Sequence, residues 1–150
     1  MNEQTLSIIK PDAVERNLEN KIKDFFVKNG LKILKSKKVQ ITREEAAEFY
    51  KMHQTKPFFQ ELCDYLSSGP IVVMILEGDQ AINKNRQLMG ATDPKKAEDK
   101  TLRKMYGISI SKNSVHGSDS STSAKTEIGF FLANNSLYKP LIIVFFKGFS

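Results

Sequence analysis

Cysteine occurs once in the 150 residues, at Cys63, and histidine only twice, at His53 and His116. A single cysteine cannot close an internal disulfide, and so few soft donors make a protein-built metal cluster unexpected. Cys63 falls within a helical apolar pattern and reads as a small buried hydrophobe. The eight glycines are scattered, with no G-x-G pair, so neither a Walker loop nor a dinucleotide fingerprint is present. Any phosphate that binds must therefore be gripped by side chains. Long hydrophobic runs are missing too: Leu141 to Phe146 is six residues, far short of the roughly 20 that a membrane span requires, and reads as a strand or a partner contact. The start, MNEQTLSIIKPD, puts an acid ahead of a short apolar run and lacks the basic region and long apolar core of a secretory signal. The expected location is cytoplasmic, with no membrane involvement.

What is present describes an ordinary globular chain. Hydrophobic residues make up 40% and charged residues 27%, and a chain of this length buries about two-thirds of its unfolded surface, enough for a core in one domain, residues 1–150. Thr5 to Ile9 reads as a strand that ends at Lys10 before Pro11. Ile22, Phe25 and Phe26 have helical spacing, and Asn29-Gly30 supplies a stop. Leu31 to Ile41 alternates in part and suggests a second strand. Thr42-Arg-Glu-Glu45 has the spacing of a capping box, for a helix that carries Ala46, Phe49 and Tyr50 on one face. After Pro57 a further helix runs through Phe59, Leu62, Cys63 and Leu66 to Ser68-Gly69. Ile71 to Leu76 is six consecutive apolar residues, the pattern of a strand covered on both faces in mid-sheet. Asp79 is placed to cap a helix reaching Leu88. Residues 89–112 read as a long loop with one short helix near Leu102 to Tyr106, and a last helix spans about Ser120 to Leu132. This order predicts an α+β fold of the split βαβ, ferredoxin-like kind: a small, mostly antiparallel sheet with helices packed on it.

Charge is concentrated. The net charge is +6, and the segment from Lys84 to Lys112 holds eight Lys or Arg against three acids, an excess of five. That segment reads as an anion site. Within NSVHGSDS, residues 113–120, His116 sits beside Gly117, which should leave the imidazole sterically accessible, and just before serines and an aspartate that can open a helix, where anions are favoured. Ala124, Ile128 and Phe131 define the inward face of that helix, and Glu127 shares it. An inward carboxylate needs a partner, and a histidine held by one keeps its other ring nitrogen unprotonated and nucleophilic. A structural histidine is the alternative from these residues alone.

Together with SIIKPDAV at 7–14, KPFF at 56–59, SGPIVVMILEG at 68–78, NRQLMGATDP at 85–94 and TLRK at 101–104, the histidine motif resembles the nucleoside diphosphate kinase family, in order from about Thr5 to Phe131. The resemblance implies ping-pong transfer of the γ-phosphoryl group from a nucleoside triphosphate such as ATP to a nucleoside diphosphate, through a phosphohistidine at His116, with Mg²⁺ carried mainly by the nucleotide phosphates. It implies that Lys10 donates to the terminal phosphate and sugar, that Asn113 contacts the ribose, and that Tyr50 turns its hydroxyl towards His116. Arg86, Thr92 and Arg103 would hold the phosphates, Phe58 would stack on the base, and Glu127 would orient His116. Balancing of the nucleotide pool, with synthesis of CTP, GTP, UTP and dNTPs, is the implied role, and a homo-oligomer, tetramer or hexamer, the implied assembly.

Three positions depart from the family's pattern: Ala13 and Lys100 stand where glycine is common, and Met105 where aspartate is common. The tail, residues 133–150, is atypical. A nucleic-acid module would need stacking aromatics on its strands, and LSII and IVVMIL offer none. A non-catalytic relative would have lost the histidine or a phosphate arginine, and both are kept.

Overall fold

The computed structural model describes residues 2–133. The run Leu141 to Phe146 lies outside the described residues. Four strands, β1 (Asn2–Ile9), β2 (Lys32–Val39), β3 (Ile71–Asp79) and β4 (Val115–Gly117), form one sheet in the order β2-β3-β1-β4, every pairing antiparallel. Among the described residues seven α-helices accompany them: α1 (Pro11–Glu15), α2 (Glu19–Lys28), α3 (Arg43–Phe49), α4 (Phe59–Leu66), α5 (Ala81–Met89), α6 (Leu102–Tyr106) and α7 (Ser121–Ala133). This is the expected ferredoxin-like α+β arrangement. Among the described residues no helix is long and apolar enough to cross a membrane.

The alternation of the central strands separates two cores. Ile9, Val72, Met74, Leu76 and Val115 face Ile22 and Phe26 of α2, Met89 of α5 and Leu102 of α6. Leu6, Ile8, Ile71 and Val73 face the other way, onto Ala46, Tyr50, Cys63, Leu66 and Phe131 of the α3, α4 and α7 layer. Both faces of β3 are therefore covered, which is why its sequence is apolar without a break. Each fully buried aliphatic side chain contributes about 1.5–3 kcal/mol.

Local signals explain most boundaries. The box at Thr42 is formed: its hydroxyl accepts from the Glu45 amide at 3.1 Å, and the Glu45 carboxylate accepts from the Thr42 amide at 2.8 Å. Gly30 ends α2 at φ +92°, a conformation open to glycine. Three features differ from expectation. Pro11 halts β1 but also opens α1, because a first-turn position needs no amide proton and suits proline's fixed φ. Asp79 does not cap α5; it belongs to β3, Gln80 is the left-handed residue before the helix, and the Ile82 amide instead donates to Glu3 across the sheet at 3.0 Å. The histidine segment is itself the edge strand β4.

Candidate active site

The register of β4 on β1 aims the histidine. Ile8 pairs with His116, and the flanking Val115 and Gly117 turn to the opposite layer, so the imidazole points to the side of α3 and α7. Two further bonds extend the ladder, from the Lys10 amide to the Ser114 carbonyl at 2.8 Å and from the Ser118 amide to the Leu6 carbonyl at 3.2 Å. The ring is wedged edge-on against Phe49, 5.3 Å between centroids, and near Tyr50 at 6.4 Å.

On the far side His116 Nε2 lies 2.9 Å from Glu127 Oε1, and the Ser118 hydroxyl donates to the same oxygen at 2.9 Å. Because a carboxylate only accepts, Nε2 carries the proton of the neutral ring, and in that tautomer the lone pair is on Nδ1. Glu127 therefore makes the contact expected of it from the helical pattern. Ser118 had no such signal, since a serine in a polar run is unremarkable until its partner is known. Gly117 acts differently from expectation. A Cβ there would strike the Asn85 amide and come within 2.9 Å of Met89, so the missing side chain lets α5 approach β4 rather than opening access to the ring.

His116 borders two clefts. The larger, about 940 Å³, is lined by Lys10, Tyr50, His53, Phe58, Thr92, Arg103 and Asn113 as well as His116. Seven of the nine residues singled out from the sequence thus converge on one cavity. Ile108 and Ile110 line it too and were not foreseen; Ile110 is 60% exposed and Phe58 45%, large apolar surfaces left open to a ligand. Their signal was available, as two isoleucines in a basic loop. A narrower cleft of about 330 Å³ on the other side of the ring is lined by Arg86, Asp119, Glu127 and Phe130, again with Tyr50, His53 and His116. Arg86 and Glu127 belong to this second cleft and do not line the first.

The cationic side chains are anchored before any ligand arrives. Lys10, 5% exposed, donates Nζ to Asn113 Oδ1 at 2.9 Å, and the Asn113 amide donates to the Thr92 carbonyl at 3.0 Å. Burial, helped by the nearby Arg103 charge and opposed by Asp12, lowers Lys10 to about 8. Arg103 donates Nη1 to the Gly90 carbonyl at 3.0 Å and Nη2 to the Val115 carbonyl at 2.9 Å, while its buried Nε has no partner. Its fork is thus partly committed to the backbone, which fixes its position at one site beside β4. Burial, then Arg86, lowers Arg103 to about 10, so it stays charged at neutral pH. Burial and the Glu127 charge push the Tyr50 hydroxyl up, so it remains a proton donor. The result is a carboxylate-held imidazole beside a cavity carrying two buried cations, a phenol and an exposed aromatic ring.

A family model for nucleoside diphosphate kinase matches residues 3–137. The nucleoside diphosphate kinase of Nitratiruptor sp. is 54% identical over 135 residues, which is 90% of this chain and 98% of that protein. That of Campylobacter fetus is 54% identical over the same shares of each. Among solved structures, the nucleoside diphosphate kinase of Aquifex aeolicus aligns with a TM-score of 0.86 at 41% identity, covering 91% of this chain and 99% of that one. The halophilic enzyme from Halobacterium salinarum, solved in complex with CDP, aligns with a TM-score of 0.85 at 38% identity, over 93% of each chain. With the histidine, its carboxylate and the cation-lined cleft in one place, the chain belongs to the nucleoside diphosphate kinase family.

Proposed function

We propose that His116 is the phosphoryl carrier of a ping-pong nucleoside diphosphate kinase. The observation that carries this reading is the 2.9 Å contact between His116 Nε2 and Glu127, which leaves Nδ1 unprotonated beside the cleft of Lys10 and Arg103. In the first half-reaction Nδ1 attacks the γ-phosphorus of a nucleoside triphosphate. An N–P bond forms, the bond to the β–γ bridging oxygen breaks, and its electron pair leaves with the nucleoside diphosphate. In the second half-reaction the terminal oxygen of another diphosphate attacks the same phosphorus, and the electron pair returns to Nδ1. Glu127 holds the ring and stabilises the positive charge that develops on it, with Ser118 steadying the carboxylate.

Lys10, Arg103, Arg86 and Thr92 neutralise and orient the phosphates, so that reaction depends on positioning and charge stabilisation. Tyr50 offers a hydroxyl proton next to the ring. Asn113 is poised for the sugar once Lys10 turns to phosphate. Phe58, with Ile110 on the same cleft, takes the base by stacking, which suits broad base tolerance because every base has a π-face.

The family's chemistry uses a divalent cation, and we take it to be Mg²⁺. When bound, it screens charge between phosphate oxygens. The donors present fit a cation brought in on the nucleotide: Glu61 and Asp93 line the larger cleft and Glu48, Asp119 and Glu127 the narrower one, but among the described residues no group of three or more ligating side chains converges. The kinase is read as one domain, in the cytoplasm, that assembles as a tetramer or hexamer, and sedimentation of the purified chain tests the assembly.

Incubation with Mg²⁺ and ATP should give acid-labile phosphate on His116, and later addition of GDP should give GTP. His116→Gln should abolish both while ATP binding persists. Absence of phosphohistidine in the unsubstituted protein would sink the reading.

A further inference from the structure

Away from both clefts of His116 lies a knot of polar groups whose shared centre is the buried Asp12. Its Oδ1 accepts from the Tyr65 hydroxyl at 2.5 Å and from the Ser114 amide at 3.3 Å, and its Oδ2 accepts from the Ser114 hydroxyl at 2.8 Å and Arg16 Nη2 at 2.9 Å. The Tyr65 oxygen in turn accepts from the Asp12 amide at 2.6 Å. Arg16 completes the knot with bonds to the Tyr106 carbonyl at 2.6 Å and to the Ser114 hydroxyl at 3.3 Å. Burial, then the bond to Asp12, pushes the Tyr65 hydroxyl up, so it stays a donor.

The three segments joined here are the ones that carry the substrate contacts. Tyr65 is on α4, whose N-cap residue is Phe58. Asp12 is in the first turn of α1, two residues past Lys10. Ser114 stands between Asn113 and Val115, next to His116, and holds a left-handed φ of +76°. For a residue other than glycine that conformation is unfavourable and persists only where its surroundings fix it. Both the amide and the hydroxyl of Ser114 are held by Asp12, and its carbonyl is held by the Lys10 amide at 2.8 Å.

We infer that Tyr65 and Ser114 are positioning residues, which act through Asp12 to set the stacking ring, the phosphate lysine and the histidine strand in one frame. None of them lines the larger cleft, so their effect reaches the nucleotide only through Phe58, Lys10 and Asn113. Hydrogen bonds to a buried charged group are among the stronger ones, and sub-ångström misplacement of reacting groups slows transfer.

This inference rests on the kinase reading, and its test separates the two. Tyr65→Phe and Ser114→Ala, each in the full chain, are assayed in two ways. One is steady-state ATP-to-GDP transfer; the other is phosphorylation of His116 by phosphoramidate, a small donor with neither base nor sugar to align. Each variant should lose about tenfold in kcat/KM for nucleotide transfer, largely through a higher KM for GDP. The phosphoramidate rate should stay within about twofold of the unsubstituted protein. Unchanged nucleotide kcat/KM in both variants would overturn the inference. So would an equal loss on both arms, with a lowered melting temperature, since that pattern marks general damage to the fold. If the unsubstituted protein accepts phosphate from neither donor, the kinase reading itself is what fails.

Discussion

Lys10 puts a charge where the fold would be more stable without one. Its ammonium is buried and held at about 8, against 10.5 for the free side chain. Since the folded value lies below the unfolded one, the unfolded chain binds more protons between those values, and stability must rise with pH across that window. The penalty is in full force below about pH 8 and fades towards pH 10.5. At 1.36 kcal/mol per unit it amounts to about 3 kcal/mol at neutral pH. Lys10→Met removes it but strands the Asn113 carbonyl oxygen that the ammonium had satisfied, a loss of about 1–2 kcal/mol. The net expectation is a gain of about 1–2 kcal/mol at neutral pH, or a rise in Tm of roughly 3–6 °C, with phosphoryl transfer abolished. The assay is thermal unfolding of both proteins at fixed concentration, near pH 7 and again near pH 10. By the higher pH most of the penalty has gone and the variant's advantage should vanish. A variant less stable than its parent at neutral pH, or an advantage of equal size at both, would refute the argument.

Other substitutions test separate parts of the site. Glu127→Gln keeps the size of the side chain but removes its charge, so the rate of phosphohistidine formation in a rapid-quench experiment should fall about 10–100-fold while ATP binding changes little. Gly117→Ala forces a methyl group into Asn85 and Met89, and its melting temperature should drop by an amount corresponding to about 2–3 kcal/mol. A fully stable Gly117→Ala would mean that α5 is not held against β4 as described. Phe58→Ala, at a ring 45% exposed, should change Tm little yet raise KM for ATP and GTP alike, by about tenfold, as expected for stacking without base-edge recognition. A loss confined to one of the two nucleotides would contradict that.

Much of this was legible in the sequence because the signals were local. The box at Thr42, the Asn29-Gly30 stop, the apolar run of β3 and the inward spacing of Glu127 each reflect residues within a turn or two of one another. What escaped depends on distant neighbours. β4 is three residues long, too short for a periodic pattern, and exists because β1 provides its partner more than 100 residues earlier. The knot of Asp12, Tyr65 and Ser114 escaped for the same reason, as no spacing links residues 12, 65 and 114. Asp79 misled because aspartate is a good cap by composition, whereas its strand pairing with Asn2 decided its place. Gly117 was noticed for the right position and the wrong neighbour.

The pairing of Ile8 with His116 has a consequence for how competence arises during folding. Side chains alternate along a strand, so a slip of β4 by one residue would turn the imidazole into the α2 and α5 layer and bring Val115 or Gly117 to the cleft. No weaker version of the catalyst lies between those two registers. Recovery of transfer activity after dilution from denaturant should therefore track closure of the sheet by its outermost strand, and a chain with native helices but an unzipped margin should be inert.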